Sequence, residues 1–245
     1  MISGILVSFS ELLDSYGMQF ISGFYVTLKL LTVTVIFGFL LAVPLGLALT
    51  SRHRLVKWAA RTYSMAFRGS PVFVQLFLIY YGLPALLIKY YGSIVPMQES
   101  VWWPLISSSF ALASLAFILN LAAYMAEDIR GGLQSVPNTE REAAIAYGMH
   151  PLTIARNILL PSALRRAMPA LFNQVIISLK ATVLVSTIAM QDLMGVGSKA
   201  FSQTFDITIY LFLAVIYLAM VFGLSHIFRA IEKYAGISNK IGGKL

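Results

Sequence analysis

Five stretches of this sequence stay apolar for longer than one helix needs to cross a bilayer, which takes roughly 20 residues for a ~30 Å hydrocarbon core. They fall at about 20–50, 63–88, 105–126, 169–190 and 207–228. Hydrocarbon offers nothing to a free backbone N–H or C=O, so runs of this length must close their own hydrogen bonds as helices. The expected fold is an all-α integral membrane protein with about five transmembrane helices. Of the 245 residues, 58% are hydrophobic and 11% charged. That leaves no room for a second soluble domain, so residues 1–245 read as a single transmembrane domain.

An odd number of crossings puts the termini on opposite sides. Arg52, Arg54, Lys57 and Arg61 follow the first run, with Arg68 just inside the second. Arg130, Arg141, Arg156, Arg165 and Arg166 follow the third, and Arg229, Lys233, Lys240 and Lys244 follow the fifth. The other side holds only Lys89 and Lys199. Basic loops stay in the cytoplasm, so the N-terminus is expected outside and the C-terminus inside. The net charge of +8 is thus a topology signal; it forms no basic patch interleaved with aromatics and points to no nucleic acid. The absence of cysteine excludes disulfides and thiolate chemistry. The first residues carry Glu11 and Asp14 where a signal peptide is apolar, so this segment is expected to remain, as a short interfacial helix. Pro44, and Gly82 with Pro84, are expected to kink the first two spans. No internal repeat of the kind found in many secondary carriers is visible.

One segment breaks the apolar pattern: EREAAIAYGMHPLTIARNILLPSAL, residues 140–164, placed in the cytoplasm by the charge bias. Thr139 can N-cap a helix, with Glu142 three residues on to complete a capping box. Gly148 is a helix stop, and Pro151 suits the first turn of a second helix that Pro161 is expected to end. Ala143, Ala144 and Tyr147 lie three and four apart, giving a face of small side chains beside one aromatic knob. Such a face fits either a groove in a partner or the protein's own spans, and local physics leaves both open.

The pattern Glu142, Ala143, Ala144, three residues, Gly148, nine residues, Ile158, Leu160, Pro161 resembles the EAA loop of membrane permease subunits of binding-protein-dependent ABC importers. The flanking TLKLLTVTVIFGFLLAVPLGL, FRGSPVFVQLFLIYYGLP, AAYMAEDIRGGLQSVP and LKATVLVSTIAMQDL are similar to the polar amino acid and opine branch. The resemblance covers about 23–233. It implies a type I importer permease fold, with residues of about 137–165 acting as a coupling helix docked in a cleft of a cytoplasmic ABC ATPase dimer. Glu142, Ala143, Ala144, Tyr147, Gly148 and Pro161 would carry that coupling. It further implies a second permease subunit of the same or similar chain, an external solute-binding protein, and the bacterial cytoplasmic (inner) membrane. ATP and Mg would be bound by the ATPase and no cofactor by this chain, which has no GxxxxGK[ST] phosphate loop.

Polar groups inside membrane helices are costly, so each is a functional candidate. Asn120, Tyr124 and Glu127 recur at i, i+4 and i+7 on one face of the third span, a stripe consistent with a substrate pathway. The structural alternatives are an interhelical hydrogen bond for Asn120, a packed ring for Tyr124, and pairing of Glu127 with Arg68 or Arg130. Gln75 could join the same cavity, with Gly69 and Pro71 breaking the helix so that carbonyls become available. Lys180, with Thr182 and Ser186, forms a second candidate strip, and Lys29 is expected to snorkel to the external surface. Trp102, Trp103 and the tyrosines at 80, 81, 90 and 91 read as an interfacial aromatic belt. The three histidines are too scattered for a metal site. The function expected is therefore a transport subunit rather than an enzyme, for polar amino acids or opines. An ion-coupled secondary carrier or channel is the alternative class, favoured by the intramembrane charges and opposed by the missing repeats.

Overall fold

The computed structural model describes residues 2–234, with side chains from Asp14 onward. Among these residues all regular structure is helical: α1 (Ile2–Leu49), α2 (Arg54–Gly69), α3 (Val72–Phe77), α4 (Leu83–Tyr91), α5 (Ile94–Gln98), α6 (Trp103–Ile106), α7 (Ser109–Gln134), α8 (Asn138–Ala146), α9 (Pro151–Ile154), α10 (Leu160–Ala181), α11 (Leu193–Thr204) and α12 (Thr208–Tyr234). Five helical segments are long and apolar enough to cross a membrane: Asp14–Leu49, Val72–Tyr91, Ser109–Gln134, Pro151–Ile188 and Thr208–Tyr234. Lys240 and Lys244, counted in the charge bias, lie outside the described residues.

Three sequence expectations are corrected. The N-terminal segment forms no helix of its own, because α1 runs unbroken from Ile2 through Pro44 to Leu49. The second span begins at Val72 rather than at 63: Ser70 and Pro71 separate α2 from α3, as proline disfavours the helical conformation at the residue before it. The fourth span does not start after Pro161 but passes through it, from Pro151 to Ile188.

The last correction has a physical cause that recurs. Proline lacks an N–H, and its ring clashes with the carbonyl four residues back. Immediately before α10 the helix widens into a π-helical turn, Ala155–Leu159, two residues ahead of Pro161. Leu78–Gly82 is a second π-helical turn, two residues ahead of Pro84 at the start of α4. In both places the wider turn precedes the proline and the apolar rod continues through it, as it also does through Pro44 and Pro169 without one.

By contacts the described chain divides into two compact units. The first comprises the chain up to Ile36 with Ser70–Ile118 and Ile177–Gly223; the second comprises Phe37–Gly69, Leu119–Ile176 and the chain from Leu224 on. The core of the first is Leu30, Leu76, Ala113, Ala116, Phe117, Val185, Ile188 and Met190. Beside it α1 meets the turn before α11. The Thr27 hydroxyl accepts the Leu193 N–H at 3.1 Å, and Asp192 caps α11 by accepting the Gly195 N–H at 2.8 Å. In the second unit α7 crosses α10 so closely that a Cβ on Gly132 would stand 2.4 Å from the Ala163 carbonyl oxygen. Only glycine permits that crossing, the small-residue solution to helix packing in lipid.

Asp192 is 0% exposed, and its second carboxylate oxygen has no partner. Burial pushes its carboxyl up to about 6. The folded state therefore favours the neutral acid; the stabilisation is complete below the usual aspartate value of ~3.9 and is lost as the pH rises through about 6. Asp192→Asn keeps an acceptor for Gly195 and removes the charge. It is expected to flatten the fall in melting temperature between pH 4 and 7 and to stabilise the protein at pH 7 by on the order of 3 kcal/mol. Thermal unfolding of both forms across that range checks this.

Candidate functional site

The charged segment forms two helices around a glycine turn. α8 begins at Asn138 with Pro137 as its N-cap residue and no side-chain cap. The capping box expected from Thr139 and Glu142 is therefore absent: Thr139 already lies inside the helix, because Pro137 is extended and starts it two residues earlier. Gly148 adopts φ +72°, left-handed backbone that glycine accepts without a Cβ penalty, and α8 ends there. His150 then caps α9, its Nδ1 accepting the Leu152 N–H at 3.4 Å, with Pro151 in the first turn.

The alanines part company. Ala144 is buried against the protein itself, while Glu142, Ala143 and Gly148 are exposed. Tyr147 is 88% exposed, and Ile145 and Leu152 are exposed beside it. A short polar connection between two spans thus displays three large apolar side chains that nothing among the described residues covers. Pro161 is exposed as well, and it sits within the continuous helix that leads away from the turn.

The polar residues of the spans are tied to the end of α2. Its last carbonyls lose their helical partners at the Ser70–Pro71 break and must be satisfied otherwise. Asn120 Nδ2 donates to the Phe67 carbonyl at 3.3 Å, and the Tyr124 hydroxyl donates to the Arg68 carbonyl at 3.4 Å. Gln75, buried, donates from Nε2 to the carbonyl and hydroxyl oxygens of Ser70, each at 2.9 Å. The carbonyls that the sequence suggested would become available are thus taken by these three side chains.

Glu127 is paired with both arginines. Its carboxylate meets Arg68 at 3.2 Å, accepts from Arg130 Nε, and accepts from the Ser64 hydroxyl at 3.2 Å. The Arg68 guanidinium also lies 5.6 Å from the centre of the Tyr124 ring, and Arg130 reaches Gln134 at 2.8 Å. Asn120, Tyr124 and Glu127 are nonetheless only half-buried. Ser64, Arg68, Glu127 and Arg130 line a cavity of about 720 Å³ that also takes in Lys57, Arg61 and Arg141.

The Lys180 strip does not form. Lys180 is exposed and Thr182 is buried, its hydroxyl bonded to the Leu179 carbonyl at 2.7 Å. Two residues apart on a helix they point in different directions. Lys29 lies over the Phe110 ring at 5.0 Å. Sequence reasoning missed the bond from Gln174 to Asp128 at 3.1 Å and the pair of Arg166 with Glu140 at 3.3 Å. It also missed that Lys57, Arg61 and Arg68 of α2 line a cavity; their spacing of four and seven was the available signal.

A family model described as binding-protein-dependent transport system inner membrane component matches residues 34–235, a range that includes both the glycine turn and the polar stripe. The chain belongs to that family. This inner membrane component is 36% identical to the octopine transport system permease protein OccM of Rhizobium meliloti over 213 residues, 86% of this chain and 84% of that one. It is 35% identical to the histidine/lysine/arginine/ornithine transport system permease protein HisM of Salmonella typhimurium over 234 residues, 95% and 96% of the two chains. A crystal structure of an amino acid ABC transporter with histidines superposes with a TM-score of 0.76 at 31% identity, covering 91% of this chain and 96% of that one. The fold of the component is thus the type I importer permease fold that the loop motif implied.

Replacing the charge at position 127 separates the ion cluster from the carbonyl caps. Glu127→Gln strips two arginines of their counter-charge and is expected to cost about 2 kcal/mol, as hydrogen bonds to charged groups do. Tyr124→Phe removes one long hydrogen bond and is expected to stay within about 1 kcal/mol. Denaturant unfolding in micelles measures both.

Proposed function

We propose that this chain is the transmembrane permease subunit of an ATP-driven ABC importer for polar amino acids or related opines. It builds the translocation pathway with a second permease subunit and couples to a cytoplasmic ABC ATPase dimer through the segment at about 137–165. ATP and Mg are bound by that ATPase, not by this chain. An external solute-binding protein delivers the substrate, and the assembly resides in the bacterial cytoplasmic membrane with the N-terminus of this chain outside. The names of the relatives, with octopine in one and histidine, lysine, arginine and ornithine in another, support the substrate class.

The observation that carries the reading is the uncovered apolar group Ile145, Tyr147 and Leu152 on two short helices joined at Gly148. Exposed apolar clusters mark interaction sites. Here Tyr147 is the knob, Glu142 and Ala143 flank it, and Ala144 supports the helix from beneath. Pro161 lies on the helix that leads from the docked turn into the fourth span. Asn120, Tyr124 and Glu127, half-buried along one face, are assigned to the pathway wall in the second unit, and Gln75 and Lys180 to the first.

Affinity capture from mild-detergent membranes, with a tag on the C-terminus, tests the coupling. The unaltered chain is expected to bring down an ATPase. Tyr147→Asp is expected to lose it, and Gly148→Val, which forces a β-branched residue into left-handed backbone, is expected to reduce ATP-driven uptake at least tenfold while membrane insertion is retained. A chain that purifies alone and transports without ATP contradicts the reading.

A further inference from the structure

The cavity of the second unit carries five cationic side chains, Lys57, Arg61, Arg68, Arg130 and Arg141, against the single carboxylate of Glu127. Arg68 and Arg130 are committed to that carboxylate. Lys57, Arg61 and Arg141 make no ion pair among the described residues. Three cations in one cavity without counter-charge form an anion site beside Glu127, the lining residue that the transport reading assigns to the pathway.

What the anion belongs to is indicated by the rest of α2. Trp58, Arg61 and Met65 recur at i, i+3 and i+7, so one face of the helix sets the guanidinium between two large apolar side chains. These are strongly exposed, Trp58 at 67% and Met65 at 74%, and Leu55, one turn before Trp58, is 83% exposed. Met65 also lines the cavity. Only residues 50–53 separate α2 from the end of the first span, and only Ser70 and Pro71 separate it from the second. A basic amphipathic helix with an exposed tryptophan, joined at both ends to spans, is built for the water–lipid boundary. A soluble anion would use the cations and leave the apolar stripe uncovered; a lipid uses both.

We propose that this cavity binds the phosphate of an anionic glycerophospholipid, held by Lys57, Arg61 and Arg141, with the acyl chains lying along Leu55, Trp58 and Met65. Arg141 belongs to α8, so the site adjoins the proposed coupling segment, but its occupation does not depend on which solute is transported.

The test is native mass spectrometry of the full chain, with its co-purifying subunits, released from micelles doped with phosphatidylglycerol or phosphatidylcholine. Phosphatidylglycerol is expected to remain bound, and phosphatidylcholine is not. Arg61→Gln and Arg141→Gln are each expected to lower its retention about fivefold, the effect of one basic residue at an anionic membrane surface, whereas Arg61→Lys retains it. Arg52→Gln makes the same charge change outside the cavity and is expected to have no effect. Equal loss in Arg52→Gln points to diffuse surface attraction and overturns the site, as does equal retention of phosphatidylcholine. Binding of glycerol phosphate as tightly as the lipid identifies a free-anion site and overturns the lipid assignment. So does a co-purifying subunit that cross-links through a carboxylate to Arg61 or Arg141 and excludes lipid.

Discussion

Each backbone carbonyl that leaves the helical ladder must find another donor, and the break at Ser70–Pro71, just ahead of the second span, makes that demand most sharply. α2 ends there with carbonyls that have lost their helical partners. The answer is a set of side-chain donors: Asn120 for Phe67, Tyr124 for Arg68 and Gln75 for Ser70. These caps fix the end of α2 against α7, and that in turn brings Arg68 within reach of Glu127. The polar stripe of α7 is therefore first a splice for a broken helix, and the cavity beside it follows from the splice.

The electrostatics of the second unit depend on this arrangement. A lone carboxylate in a helix of this apolarity would be costly, but Glu127 is held between two guanidinium groups and a hydroxyl. Its charge is spent within the protein, so it contributes little attraction to a cationic ligand. The charge left over is positive, on Lys57, Arg61 and Arg141. A reading that treats Glu127 as the site's dominant charge has the sign of the local field reversed.

Much of this was legible in the sequence. Helices in lipid have one stable backbone answer, so the number of spans and the all-helical class followed from run length alone. The glycine stop at 148 and the proline start at 151 were equally plain, because each residue has a backbone preference that context rarely overrides. What failed were the inferences that required a residue to act alone. Pro161 was expected to end a helix, but the chain continues through it after a π-helical turn, as it continues through Pro44 and Pro169 without one. Thr139 and Glu142 had the spacing of a capping box, but Pro137 had already started the helix. Ala143 and Ala144 are indistinguishable by composition, yet one faces out and the other in, because only the packing of α8 on the chain decides it. Lys57 and Arg61 were read as topology charges; seeing them as a cavity wall needs α7 and α8 in place.

The two π-helical turns bear on how such a chain transmits force. A regular helix interrupted by proline bends or breaks, and a displacement applied at one end is absorbed at the defect. At 155–161 the widened turn leaves the rod from Pro151 to Ile188 continuous, so the residues next to the Gly148 turn belong to the same helical body as the span beyond. The compliant point is instead Gly148 itself, where a single left-handed residue joins α8 to α9. Under the proposed coupling, a docked α8 would turn about that glycine relative to the helix that follows. The cost of a π-helical turn at Pro161 is thus offset by the continuity it preserves.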